Sequence, residues 1–240
     1  MSAARRAAIA MAIIAAAQLW LVSAVPLQIL AHAVQDDALF ARLAVALLSG
    51  EWLGSYDSLT LVKGPFYPMW LAAVAWLGLP LLVAQDLLYL AAGALLLAFV
   101  WPRLRCWWVI AVLYAAYAFN PMLTTAGNLR IVREGIYTPL TVLLMALVLW
   151  WWHWRTRGVA WRALPAGVLG IVFAAFWLTR EEGPWLFPAL ATAALACALC
   201  GGTPVRIAAR LVREGGLVAL AVLVAWSATH AVALINKAHY

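Results

Sequence analysis

Phe66-Tyr67-Pro68-Met69-Trp70-Leu71-Ala72-Ala73-Val74-Ala75-Trp76-Leu77-Gly78-Leu79 is the stretch on which the topology of this chain turns. It is apolar throughout, yet it falls short of the about 17–25 residues that cross a bilayer as a helix. Pro65, Pro68 and Pro80 bound or interrupt it. If it crossed, every later loop would change sides. If it stays on the surface, the basic residues segregate. One side then receives Arg5, Arg6, Arg103, Arg105, Arg155, Arg157, Arg162, Arg206, Arg210 and Arg213, opposed only by Glu214. The other holds Arg42, Lys63, Arg130, Arg133, Arg180 and Lys237 among Asp36, Asp37, Glu51, Asp57, Glu134, Glu181 and Glu182. Positive charge accumulates on the cytoplasmic side of membrane proteins, so the second arrangement is the expected one. It puts the amino terminus inside and the carboxyl terminus outside, with mixed charge gathered on the outer face.

Composition sets the wider frame. Hydrophobic residues make up 68% of the 240 and charged residues only 10%, where soluble domains carry about 25% charged. A soluble core of this size has no room for so much apolar surface, so lipid is the solvent for most of the chain. Seven apolar segments reach spanning length or its lower limit: 8–30, 82–101, 107–123, 136–152, 164–179, 184–200 and 216–235. The expected fold is therefore all-α, a polytopic membrane protein of about seven transmembrane helices. Two interfacial helices lie in its first outer loop, 34–81, and residues 1–240 form a single membrane domain. The first segment follows Arg5-Arg6 and precedes Ala31-His32-Ala33, but its apolar run exceeds a signal-peptide core, which favours an uncleaved anchor.

Several function classes drop out. The net charge of +7 follows from topology and from contacts with anionic lipid rather than from nucleic-acid binding. Cys106, Cys197 and Cys200 imply no disulfide framework, and Cys197-x-x-Cys200 lacks the further ligands of a metal site. Trp150, Trp151, Trp152 and Trp154, with Trp101, Trp107, Trp108 and Trp161, form an inner interfacial belt. No Gly-rich nucleotide loop, metal-ligand spacing or nucleophile motif is present.

The outer loops carry the chemistry. Asp36-Asp37 open a stretch to Gly50 in which Leu39, Phe40, Leu43 and Leu47 recur at helical spacing, as in a helix lying flat in the interface. One aspartate serves as a helix cap and the other as a first-turn acid in the plainest reading. Lys63-Gly64-Pro65 then opens the short apolar helix, where a lysine beside a helix amino terminus suits a phosphate; a lysine snorkelling to the headgroups is the plain alternative. Arg130-Ile131-Val132-Arg133-Glu134 and Arg180-Glu181-Glu182 bring arginines and acids to the same face, either to satisfy one another or to meet a ligand. Carboxylates with cations in this pattern suit activation of a hydroxyl beside a phosphate leaving group.

Asp36-Asp37, Lys63-Gly64-Pro65-Phe66-Tyr67-Pro68 and the Arg133-Glu134 and Arg180-Glu181 turns resemble membrane glycosyltransferases of the GT-C fold, in particular bacterial proteins like the protein O-mannosyltransferases and the lipid A aminoarabinose transferases. The resemblance implies transfer of a sugar from a polyprenyl-phosphate carrier at the non-cytoplasmic face of a bacterial inner membrane. It matches the family's acidic pair to Asp36 and Asp37, one of them the general base. Lys63 takes the place of the lysine that meets the donor phosphate, with Gly64 a departure from the family's Lys-Pro-Pro-like motif. Arg133 and Arg180 match further phosphate-binding cations, and Arg42, Tyr67, Glu134, Glu181 and Glu182 support the site. Family enzymes usually continue into further spans or an outer domain, so the resemblance implies that this chain is the family's core module, either alone, or continued by a further carboxyl-terminal part, or completed by a partner chain.

The expected reaction is a single displacement with inversion. An acceptor hydroxyl, deprotonated by Asp36 or Asp37, attacks the anomeric carbon, and Lys63, Arg180 and Arg133 stabilise the departing lipid phosphate. No cofactor is expected. Asp36, Asp37 and Glu181 are of a type that gathers a divalent cation, but a monophosphate leaving group beside cations does not require one. The expected partners are the polyprenyl-phosphate-linked sugar and membrane lipids. An accessory subunit of a glycan-assembly complex and a lipid-linked-sugar transporter are the competing readings; Asp86, near the outer end of its span, and the lack of internal repeats speak against the transporter.

Overall fold

The computed structural model describes residues 1–28, 37–154, 156–180, 182–199 and 204–240, and of 204–206 the backbone alone. The described residues are all-helical, and the chain is a polytopic integral membrane protein. Its helices are α1 (Ala3–Ser23), α2 (Asp37–Leu48), α3 (Phe66–Trp76), α4 (Leu81–Leu104), α5 (Trp107–Ala118), α6 (Glu134–His153), α7 (Val159–Trp177), α8 (Leu186–Leu199) and α9 (Pro204–His239). Short 3-10 turns cover Pro121–Thr124 and Gly183–Trp185. Six of the described helical stretches are long and apolar enough to cross a membrane. A shorter apolar stretch, Gly183–Leu199, coincides with the expected span at 184–200 and sits at the lower limit of spanning length.

The deciding stretch is settled by its length. α3 has 11 residues and so extends about 17 Å at 1.5 Å per residue, against a hydrocarbon core of about 30 Å. The chain also returns to where it left: Val22 and Val25 at the end of α1 line the same cavity as Leu82 and Gln85 at the start of α4. The end of α1 and the start of α4 therefore lie at the same end of the first unit.

Helix limits follow local chemistry. Ser2 caps α1 by accepting from the Arg5 N–H at 3.3 Å. α5 stops at Ala118 because Asn120-Pro121 follows; the Asn120 side chain accepts from the Met122 N–H at 3.1 Å and opens the 3-10 turn. α9 begins at Pro204, well before the apolar span expected from 216, and takes in Arg210, Arg213 and Glu214. Its polar first part is helical because Pro204 suits a first turn and Glu214 has buried partners to meet.

The chain forms two compact units, 1–143 and 144–240, with the boundary inside the continuous α6. In the first unit α1 packs on α4 and α5, α4 packs on α5, and α2 packs on α3, which rests on the start of α4. Gly93 of α4 faces the Tyr117 ring so closely that a Cβ there would lie 2.2 Å from it. In the second unit α7 and α8 both pack on α9. Gly170 lets α7 approach the α9 backbone, since its Cβ would stand 2.5 Å from the Ala221 carbonyl oxygen, the use of small residues typical of membrane interfaces.

The second unit encloses a charged network. Arg162 and Glu214 are each 1% exposed. The Arg162 guanidinium donates from both Nη atoms to the Glu214 carboxylate at 2.7 and 2.6 Å. Trp151 Nε1 donates to the same carboxylate at 3.1 Å, and Arg213 donates to it at 3.0 and 3.2 Å. Donors from three helices thus converge on one carboxylate, which compensates the cost of burying it.

Candidate functional site

The candidate site is assembled in the first unit, on the platform made by α2 and α3. Leu39, Phe40 and Leu43 of α2 are buried. Leu39 and Leu43 join Leu53, with Leu47, Trp52 and Leu59 packed around them, so the helical spacing of these residues becomes the buried face of α2. The turn through Leu53 and Gly54 bends with positive φ at both positions and carries the chain back under the helix.

Asp37 begins α2 and is fully buried. Arg130, from the turn ahead of α6, grips it with both ends of the guanidinium: Nη2 donates to Oδ1 at 2.8 Å and Nε to Oδ2 at 3.1 Å. This bidentate pair ties the start of α2 to the 125–133 segment. Gln28 N–H donating to the Leu129 carbonyl at 2.8 Å adds a backbone tie beside it.

Phe40 lies one turn beyond Asp37 and touches two candidate residues. Lys63 Nζ stands 5.2 Å from the Phe40 ring centre, a cation–π arrangement, and Tyr67 meets the ring edge-on at 4.9 Å. Tyr67 is fully buried, and its phenol oxygen accepts from Gln85 Nε2 at 3.2 Å. Burial raises the Tyr67 phenol well above its ordinary value; the Gln85 contact opposes this, and the nearby Asp37 and Glu134 carboxylates raise it further. Tyr67 is therefore a neutral hydrogen-bonding group of the platform.

Arg42 leaves the platform on the solvent side, where it pairs with Asp57. The Arg42 hydrogen bond, with a second from the Leu59 N–H at 2.8 Å, holds the Asp57 carboxyl well below the usual carboxylate range. This pair fixes the 55–60 turn against α2. Arg133 is half-buried in the turn before α6, where its carbonyl accepts from the Ile136 and Tyr137 N–H groups and starts the helix. Glu134 is the exposed first residue of α6.

The structure thus brings Asp37, Lys63, Tyr67 and Glu134 to one end of the first unit. Arg180 and Glu182 belong to the second unit, where they pair with each other at 2.9 Å. Asp36 and Glu181 lie outside the described residues. No group of three or more His, Cys, Asp or Glu suited to a metal ion occurs among the described residues.

Sequence reasoning placed Arg130 on the outer face but did not pair it with Asp37, from which it is separated by 93 positions. It also left Gln85 and Asp86 out of the site. The signal for these two was a charged residue inside an otherwise apolar span, which is costly and so marks a packed or functional position. Gly135 belongs with them: a Cβ there would lie 2.5 Å from the Gln85 amide, so the start of α6 closes directly over that side chain.

The fold and these groups define a polytopic membrane protein with a polar platform at one end of its first helical unit. Compared with known protein families, with curated proteins and with solved structures, the chain shows no match.

Proposed function

We propose that this protein is a membrane glycosyltransferase of GT-C type that moves a sugar from a polyprenyl-phosphate-linked donor to an acceptor hydroxyl. The observation that carries this reading is the Asp37–Arg130 ion pair, which joins two distant loops beside the surface where Lys63 stands over Phe40. Acid and base from separate segments are delivered to one platform at the membrane boundary, as transfer from a lipid phosphate requires. The platform end is the non-cytoplasmic one, since the opposite ends of the spans carry Arg5, Arg6, Arg103 and Arg105. The membrane is a bacterial inner membrane, with the amino terminus cytoplasmic and the carboxyl terminus periplasmic.

Roles divide within the acidic pair. Both oxygens of Asp37 accept from Arg130, so Asp37 is a positioning residue that holds the loop. Asp36, its neighbour in sequence, is assigned as the base that takes the acceptor's proton. As the acceptor oxygen bonds to the anomeric carbon, the bond from that carbon to the phosphate oxygen breaks, and the electron pair stays on the departing polyprenyl phosphate. Lys63 and Arg133 are the cations assigned to that charge. An apolar groove of about 500 Å³, walled by alanines of α1 and α4 with Ile110 and Tyr114 of α5, suits the lipid tail.

The test is release of polyprenyl phosphate from a polyprenyl-phosphate-linked sugar by the purified protein in lipid nanodiscs. Asp36→Asn is expected to slow release by about 10²–10⁴-fold, the usual worth of a general base, with thermal stability near that of the parent. A variant with the parent's rate would remove Asp36 from the mechanism.

A further inference from the structure

Behind the platform lies a cavity of about 70 Å³ between the ends of α1, α4 and α6. That is well above the ~10–15 Å³ a single water requires. Its polar lining comes from Gln85, Asp86, Tyr89, Asn128, Glu134 and Thr138, and none of the described residues lining it is basic. Val22, Val25, Leu82, Leu123 and Pro139 supply apolar wall between these groups. Asp86 is 7% exposed. Gln18 hydrogen-bonds its carboxylate, but Oδ2 is buried and has no hydrogen-bond partner. A buried carboxylate oxygen without a donor is costly, and the Asp86 side chain that carries it lines the cavity.

We infer that this cavity binds a compact organic ammonium group, with the Asp86 carboxylate accepting from the N–H and the apolar wall covering the adjoining carbons. Two carboxylates with no basic residue in the lining select a cation over an anion. Amide, hydroxyl and phenol groups of Gln85, Asn128, Thr138 and Tyr89 supply further acceptors for a three-donor ammonium. The apolar wall favours an alkylammonium over a hydrated metal ion, and the described residues offer no three-ligand metal cluster. The amine comes either from a free small molecule or from the headgroup of an ethanolamine lipid, since the cavity opens at the ends of the spans. The site stands on its own residues and does not depend on glycosyl transfer.

The experiment uses the full chain and reads thermal unfolding. In detergent, ethanolamine hydrochloride is titrated against sodium chloride at equal ionic strength and against ethylene glycol. In nanodiscs, ethanolamine-headgroup lipid is compared with choline-headgroup lipid. A saturable rise in melting temperature with ethanolamine alone is the result expected for a soluble amine. A rise confined to ethanolamine-lipid nanodiscs assigns the headgroup instead. Asp86→Asn is expected to weaken either effect by about tenfold or more, the worth of one charge-assisted hydrogen bond. Thr138→Leu, which fills the cavity but keeps Asp86, is expected to abolish it and serves if the Asp86 variant does not fold. The inference is overturned if sodium chloride matches ethanolamine, if neither amine source shifts the unfolding, or if the shift survives in both variants. Polyprenyl phosphate release is measured separately, so loss of glycosyl transfer leaves this result standing.

Discussion

Glu214→Ala is expected to lower the stability of the protein by about 3–5 kcal/mol, the cost of breaking a buried ion pair from one side. Arg162 is 1% exposed and would lose both of its short bonds to the carboxylate, while Trp151 Nε1 would lose its acceptor. Unfolding in detergent, followed by tryptophan fluorescence, measures the effect. Glu214→Gln keeps an acceptor for Trp151 but not the charge, and should fall between the two. Arg162→Met combined with Glu214→Leu should recover part of the loss, because a packed apolar pair of similar volume removes the buried Arg162 charge, while Trp151 Nε1 and the part-exposed Arg213 still lose their acceptor. A Glu214→Ala protein as stable as the parent would mean that the network contributes nothing to the second unit.

The next largest effect is expected at the tie between the start of α2 and the 125–133 segment. Arg130→Ala takes away the bidentate partner of a fully buried carboxylate and is expected to cost about 3–5 kcal/mol. Asp37→Ala leaves behind an arginine whose side chain is 21% exposed. It should cost less, about 1.5–3 kcal/mol, because water reaches the released guanidinium. In a double-mutant cycle the two losses should be far from additive, since each single change removes the same contact. Equal and additive losses would show that the pair is not a coupled unit. For the proposed enzyme, both variants also displace the α2 loop from the 125–133 segment, so polyprenyl phosphate release should fall by more than the stability change accounts for.

Much of the architecture was legible because it depends on quantities that a sequence carries by itself. Length and proline placement marked Phe66–Trp76 as too short to cross a bilayer, and helical spacing of Leu39, Phe40 and Leu43 gave the buried face of α2. The limits of spans were less legible. Asn120-Pro121 ended α5 early through a side-chain cap, and Glu214 drew the polar start of α9 into a helix through partners on α6 and α7. These are tertiary effects that a hydropathy window does not register. The same holds for the site. Local motifs pointed to Asp37, Lys63 and Tyr67; of these, Lys63 and Tyr67 contact the Phe40 ring, one helical turn beyond Asp37. The pairing of Asp37 with Arg130 is made by packing across 93 positions, which local motifs do not register. Asp86 was visible as a charge in an apolar span, but its burial beside a cavity was not.

The lipid that the protein retains tests the central proposal most directly. Protein extracted with its surrounding lipids and analysed by native mass spectrometry is predicted to carry one polyprenyl phosphate or its sugar-linked form, and Lys63→Ala is predicted to lose it while remaining folded. A parent protein that retains only phospholipid, or a Lys63→Ala protein that holds the polyprenyl phosphate equally well, would contradict the assignment of this platform to a lipid-phosphate donor.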